Sequence, residues 1–263
     1  MKAENDAGRG GTSPQKHSRD LEFWEKRAPS FADHAKKTYY PSEFIKLVRP
    51  EPDWTVLDMA CGGGTLAIPL APLVKKVTAV DFSPSMIDIV KRSSAERDIT
   101  NIEAILGEWD DDWAALGIGT YDVAIASRSL RAEDSAPYIQ KLLGAARRKV
   151  FISAPVGSGP IDTRMLEFAG REAGEKSDYR KFLGVFEGLG VRANIDFIEE
   201  RHANCWPSVD AAVDDNRWMF FGMTPEEEGK LRLYMERHLH ETGDGWRLDY
   251  ERVCAWAVMW WEK

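Results

Sequence analysis

Cysteine is scarce and poorly placed for a framework: Cys61, Cys205 and Cys254 are the only three in 263 residues. No CxxC pair is present and the count is odd, so reduced thiols are expected, with neither a disulfide scaffold nor a metal site. No apolar run approaches the roughly 20 residues that a membrane helix needs. The N-terminus lacks the apolar segment of a secretory signal. Together these absences lead to the expectation of a cytoplasmic chain without a membrane partner. Positive charge is also in deficit, with 35 Lys and Arg against 43 Asp and Glu, a net charge of −8. Such a surface repels phosphate backbones, so nucleic acid is not an expected partner. Histidine is rare, and neither an internal repeat nor a long low-complexity segment occurs.

What is present suffices for a packed core: 43% of residues are hydrophobic and 30% charged. Residues 1–19 lack periodic apolar positions and are expected to be a disordered tail. Residues 20–50 read as a helical lid. Leu21, Phe23, Trp24, Ala28, Phe31 and Ala35 recur at three- and four-residue steps, with an interruption at Pro29. A second helix, Ser42 to Val48, stops before Pro50.

Residues 51–263 read as one α/β domain. Short strands are predicted at Thr55 to Asp58, Val77 to Val80, Ile102 to Leu106, Tyr121 to Ala126 and Lys149 to Ser153. Helices alternate with them over Thr65 to Leu73, from Ser83-Pro84-Ser85 onward, and over Ala136 to Ala146. Apolar strands alternating with amphipathic helices predict a doubly wound, mostly parallel sheet covered on both faces. Further on come a helix, Tyr179 to Leu189, and a strand, Ala193 to Ile198. A charged helical insertion over about 207–242 is restarted at Thr224-Pro225-Glu226-Glu227. A long strand-like run from Trp246 to Trp261 brings the predicted strands to seven.

The chemistry concentrates where strands give way to helices. After the first strand runs Asp58-Met59-Ala60-Cys61-Gly62-Gly63-Gly64, a turn small enough for close backbone approach to a ligand. Asp81 stands at the end of the second strand, where an acid can accept hydrogen bonds from two ribose hydroxyls. Gly107-Glu108-Trp109 follows the third strand, where a base can be held. No Gly-Lys-Ser/Thr follows the turn, which excludes a P-loop, and the spacing of small residues fits the dinucleotide fingerprint poorly.

On these residues the chain resembles the class I methyltransferases that depend on S-adenosylmethionine (SAM), in the small-molecule methyltransferase-domain family. The resemblance implies a Rossmann-like domain with SAM as cofactor. It implies that Asp58 orients the loop and the methionine amino group, and that Gly62 and Gly64 line the cofactor beside Ala60 and Cys61. Asp81 would hold the ribose diol, with Phe82 and Met86 against the adenine and Glu108 and Trp109 bracketing its amino group. Two positions depart from the family: Ala60 replaces its first glycine and Glu108 its commoner Asp.

On the acceptor side, Ser127-Arg128-Ser129-Leu130-Arg131 follows the fourth strand, where the family faces the transferred methyl. Arg128 is a candidate clamp for a substrate anion and equally a loop charge. Tyr40 is a candidate cover for the sulfonium, or simply a packing residue. His34 and His202 are the candidate general bases, although methyl displacement does not always need one. The expected activity is methyl transfer from SAM to a small-molecule acceptor, the alternative being a SAM-binding protein without turnover. The insertion, with its aromatic cluster Trp218 to Phe221, would cap the substrate cleft, form a homodimer surface or be a solvated excursion.

Overall fold

A computed structural model describes residues 21–28, 38–172, 178–220 and 222–263. Residues 21–28 form helix α1. After it come α2 (Tyr40–Val48), β1 (Thr55–Met59), α3 (Ala67–Leu70), β2 (Lys76–Asp81), α4 (Pro84–Ala95), β3 (Ile102–Leu106) and β4 (Tyr121–Ser127). The next elements are α5 (Ala136–Ala145), β5 (Ala146–Val156), α6 (Thr163–Phe168), α7 (Tyr179–Gly188) and β6 (Asn194–His202). The chain ends with α8 (Val209–Asn216), α9 (Pro225–His238), β7 (Leu239–Thr242), β8 (Gly245–Leu248) and β9 (Arg252–Glu262).

Seven strands form one mostly parallel sheet in the order β3-β2-β1-β4-β5-β9-β6. The strand order reverses between β1 and β4, and β1 pairs in parallel with both β2 and β4. In an open α/β sheet this switch point, outside the carboxyl ends of the strands, is where ligands bind.

The described residues divide into two compact units, one drawn from 1–127, 141–150 and 263, the other from 128–140 and 151–262. In the first unit β1, β2 and β4 are almost wholly buried, through Val56, Leu57, Val77, Val80, Val123 and Ile125. Each fully buried side chain of this kind contributes about 1.5–3 kcal/mol. That burial on both faces is why these strands read as continuous apolar runs rather than alternating ones.

In the second unit, α6, α8 and α9 enclose a separate apolar cluster containing Met165, Val213, Met219, Phe220, Leu231 and Met235. The aromatic stretch Trp218 to Phe220 is thereby accounted for, Phe221 lying outside the described residues. α9 starts as its sequence predicts: Thr224 and Glu227 form a reciprocal capping box, with Pro225 in the first helical turn.

The last predicted strand needs correction. The run from Trp246 to Trp261 is two strands, because β7 and β8 form a separate hairpin closed across Thr242 and Gly245. Gly245 has φ 136°, and an added Cβ there would lie 2.5 Å from the Trp206 carbonyl oxygen. The Gly243-Asp244 turn thus ties the start of the run to β7, and the run itself breaks at Asp249 to Glu251, between β8 and β9. The charged insertion is likewise not helical to His240: α9 stops at His238 and β7 begins at Leu239. Helix α6 has no counterpart among the predicted elements. Among the described residues, no helix is long and apolar enough to cross a membrane.

Candidate functional site

The glycine-rich turn leaves β1 with Ala60, Gly62 and Gly64 at φ 57°, 55° and 84°. These left-handed residues bend the chain sharply, and Ala60 is the one that carries a Cβ in a conformation favouring glycine. The Cys61 amide donates to the Val80 carbonyl at 2.9 Å, and the Gly62 amide donates to Asp81 Oδ2 at 2.8 Å. The turn is thus fastened to the end of β2. The small size of Gly64 has a separate cause: a Cβ would come within 2.9 Å of Ile68 Cγ1 and 3.3 Å of Val90 Cγ2.

Asp81 ties three segments together. Its Oδ1 accepts the Ser83 amide at 3.0 Å, and its carbonyl accepts the Gly107 amide at 3.0 Å, which fixes the chain leaving β3. Burial raises the Asp81 carboxyl above the ordinary 3.8, against the pull of the Ser83, Gly62 and Phe82 amides, and the nearby Glu25 charge adds to the rise.

Glu25, on α1, is a residue that sequence reasoning missed. Its Oε1 accepts from Ser83 Oγ at 2.5 Å and from the Ser85 amide at 3.1 Å; its Oε2 accepts from Ser85 Oγ at 2.5 Å. The Ser83 and Ser85 bonds hold its carboxyl below the ordinary 4.5. Ser83 also accepts from the Met86 amide as the N-cap of α4, so one hydroxyl serves both helices. The Ser83-Pro84-Ser85 start was visible in the sequence, but the acid that completes it lies 58 residues away.

The remaining expected residues fall into four groups. Asp58 is buried at the end of β1, and Cys61 is buried with its thiol pushed up by desolvation, then by Asp58 and Asp81, which disqualifies it as a ready nucleophile. Met86 packs with Ala28 and Ile89 against Trp24, so its contacts are between helices; Phe82 is half-buried. After β3, the Glu108 amide donates to Asp111 Oδ2 at 2.9 Å, and Trp109 lies tilted on Trp113 with centroids 5.8 Å apart. Lys141 Nζ donates to the carbonyls of Trp109 and Asp111, holding this loop closed. Tyr40 is wholly buried, with its hydroxyl 2.8 Å from Ser127 Oγ at the end of β4.

Of the acceptor-side candidates, His34 lies outside the described residues. Arg128 has φ 57°, its amide donates to Ser153 Oγ at 3.0 Å, and its guanidinium lies over the Trp256 ring at 5.2 Å. The indole N–H of Trp256 donates to Glu200 at 2.6 Å, and His202 Nε2 lies 3.2 Å from Cys254 Sγ. Arg128 and His202 therefore belong to one cluster with Glu200 and Cys254. Those two were not legible, because the β6–β9 register that juxtaposes them spans more than 50 residues.

Comparison with known proteins bears on the fold and the domain. Residues 56–150, from β1 into β5, match the family model described as a methyltransferase domain. A Haemophilus influenzae protein of uncharacterised function is 26% identical over 90% of this chain and 88% of its own length. A Methanosphaera stadtmanae protein named "Probable ribosomal RNA small subunit methyltransferase A" is 29% identical over 60% of the chain, which spans about half (54%) of that relative. The crystal structure of a candidate methyltransferase from Bacillus halodurans aligns with a TM-score of 0.57 and 14% identity, covering 85% of this chain and 98% of that one. At 14% identity this likeness is one of fold, the Rossmann-like fold of the class I methyltransferases. The likeness over residues 56–150 is to a methyltransferase domain, and it supports an enzyme of methyl transfer.

Proposed function

We propose that the protein moves a methyl group from SAM to a small-molecule acceptor by direct displacement, in the cytoplasm. The observation that carries this reading is Asp81, a buried carboxylate at the end of β2 already bonded to the Gly62 amide of the glycine-rich turn. A carboxylate offers about four acceptor positions, so its backbone amides leave capacity for a ligand hydroxyl. Thr65 Oγ1, directly after the turn, is buried without a hydrogen-bond partner among the described residues. A nucleoside ligand with a ribose diol and a polar tail fits both features.

SAM, when bound, supplies an electrophilic methyl on a cationic sulfonium. Asp58 and the turn from Ala60 and Cys61 to Gly64 hold the amino-acid end, and Asp81 accepts from the ribose. Phe82, Glu108 and Trp109 border the base, with Met86 acting through its packing against α1. Tyr40 and Ser127 close the site over the reacting end and exclude water, which aligns the acceptor and suppresses hydrolysis. The net charge of −8 opposes a polyanionic acceptor, which favours a small molecule over RNA.

Calorimetric titration with SAM and with S-adenosylhomocysteine tests the reading. Both should bind the wild type, and Asp81→Ala should weaken binding about 100-fold, the loss of roughly 3 kcal/mol of hydrogen bonding to a charged group. Absence of binding to the wild type would overturn it. Binding without formation of S-adenosylhomocysteine across a broad acceptor panel would instead make the protein a SAM-binding protein without turnover.

A further inference from the structure

We propose that Glu200, His202 and Cys254 form a binding site for a zinc-class divalent transition metal. This is independent of the cofactor reading, and it reverses the expectation of no metal site drawn from the absence of CxxC.

The strand register builds the cluster. Glu200 pairs directly with Cys254 across the antiparallel β6–β9 ladder, and His202 lies two residues along β6 on the same face. Directly opposed residues in such a ladder have Cβ atoms about 4.5–5.5 Å apart, so a rigid backbone and not a loop sets the geometry. One imidazole nitrogen, one thiol sulfur and one carboxylate oxygen all lie within 4.8 Å of one another. The His202 Nε2 to Cys254 Sγ separation is 3.2 Å, and Cys254 Sγ to Glu200 Oε2 is 4.0 Å. Ligand atoms around a tetrahedral zinc, at bond lengths of about 2.0–2.3 Å, are separated by roughly 3.3–3.8 Å. Two of the separations lie within a few tenths of an ångström of that range, and the third, His202 to Glu200, has to close from no more than 4.8 Å.

The chemistry of the donors agrees with the geometry. A thiolate with an imidazole selects zinc-class ions over magnesium or calcium, and three protein ligands leave a fourth position open, as in catalytic rather than structural sites. The Trp256 indole N–H donates to Glu200 at 2.6 Å and so orients the carboxylate, the role that outer partners take around metal sites. Binding of the ion would release the Cys254 thiol proton. Thiolate and carboxylate together balance a dication.

Titration of the full chain with cobalt(II), followed by absorption, tests the proposal. One ion per chain should bind with a thiolate-to-cobalt charge-transfer band, and zinc should displace it. Cys254→Ser should abolish the band, whereas Cys205→Ser should retain it. Trp256→Phe should keep the band and weaken cobalt binding about 10–100-fold. A wild type without the band overturns the proposal whatever the variants do, and so does a band that survives Cys254→Ser or is lost with Cys205→Ser. Retained SAM binding and a wild-type thermal transition in Cys254→Ser separate loss of the metal ligand from loss of the fold.

Discussion

The Tyr40 and Ser127 hydroxyls lie 2.8 Å apart, joining the start of α2 to the end of β4 across 87 residues. Tyr40 is wholly buried and its ring leans on Phe44 at 5.7 Å. A hydroxyl pair of this kind contributes about 1 kcal/mol. Tyr40→Phe and Ser127→Ala should each lower stability by about 1 kcal/mol. The double variant should cost clearly less than their sum, with a coupling of at least roughly 0.5 kcal/mol in a denaturant-based cycle. Additive losses would mean that the two hydroxyls do not act as a pair.

Asp81 gives the site a pH dependence of definite sign. Burial raises its carboxyl above 3.8, so it takes up a proton in the folded state before an ordinary aspartate would. Protonation removes acceptor capacity, and SAM affinity should fall as pH drops through that raised value. Stability responds oppositely: the folded state binds the proton more tightly than the unfolded one, so this residue's contribution grows as pH falls toward 3.8. Calorimetry across the acid range should show the affinity loss in the wild type and not in Asp81→Asn. An identical pH profile in the two proteins would remove Asp81 from the binding site.

The elements that organise this site were legible because their signals are local. β3 occupies the predicted Ile102 to Leu106, and Ser83 caps α4 where Ser-Pro-Ser foretold it. Asp58, Gly62 and Asp81 could be singled out as candidates because a strand end, a small residue and an acid are separately readable. What remained hidden depends on tertiary proximity. Glu25 sits on a helix whose own sequence gives no reason to single out one acid among several. Glu200 and Cys254 are an unremarkable acid and thiol until the β6–β9 register sets them opposite each other. The β7–β8 hairpin was missed for a different reason: aromatic residues on both sides of Asp249 favour strand equally, and the three-residue break from Asp249 to Glu251 is short beside them.

Ala60 shows a strain that the sequence only hinted at. Its φ of 57° places a Cβ in the left-handed region, which costs about 1–2 kcal/mol relative to glycine, partly offset by the extra freedom of glycine in the unfolded chain. Ala60→Gly should therefore stabilise the protein by roughly 0.5–1 kcal/mol, read as a higher urea midpoint at unchanged slope. A lower midpoint would show that the Ala60 methyl makes packing contacts worth more than the strain.

Asp122 should govern part of the acid sensitivity of the fold. Its Oδ2 accepts from the Thr55 amide at 2.9 Å and from Arg147 at 3.1 Å, and its Oδ1 accepts from Arg148 at 3.1 Å. Burial alone would raise this carboxyl, but the Thr55 amide, the arginines and the Thr55 hydroxyl outweigh it and hold it at about 2, below the ordinary 3.8. The folded state thus binds the proton less readily than the unfolded one. The resulting stability is complete above 3.8 and is lost as pH falls from there toward about 2. Both arginines are about half exposed, which limits the worth of the pairs to about 1 kcal/mol. Asp178 is also held at about 2, so the informative quantity is the difference between wild type and Asp122→Asn. Thermal unfolding followed from neutral pH downward should show the variant less stable by about 1 kcal/mol near neutrality, with the gap closing below 3.8. A gap that stays constant into acid would mean that Asp122 stabilises the protein through shape and neutral hydrogen bonds rather than through its charge.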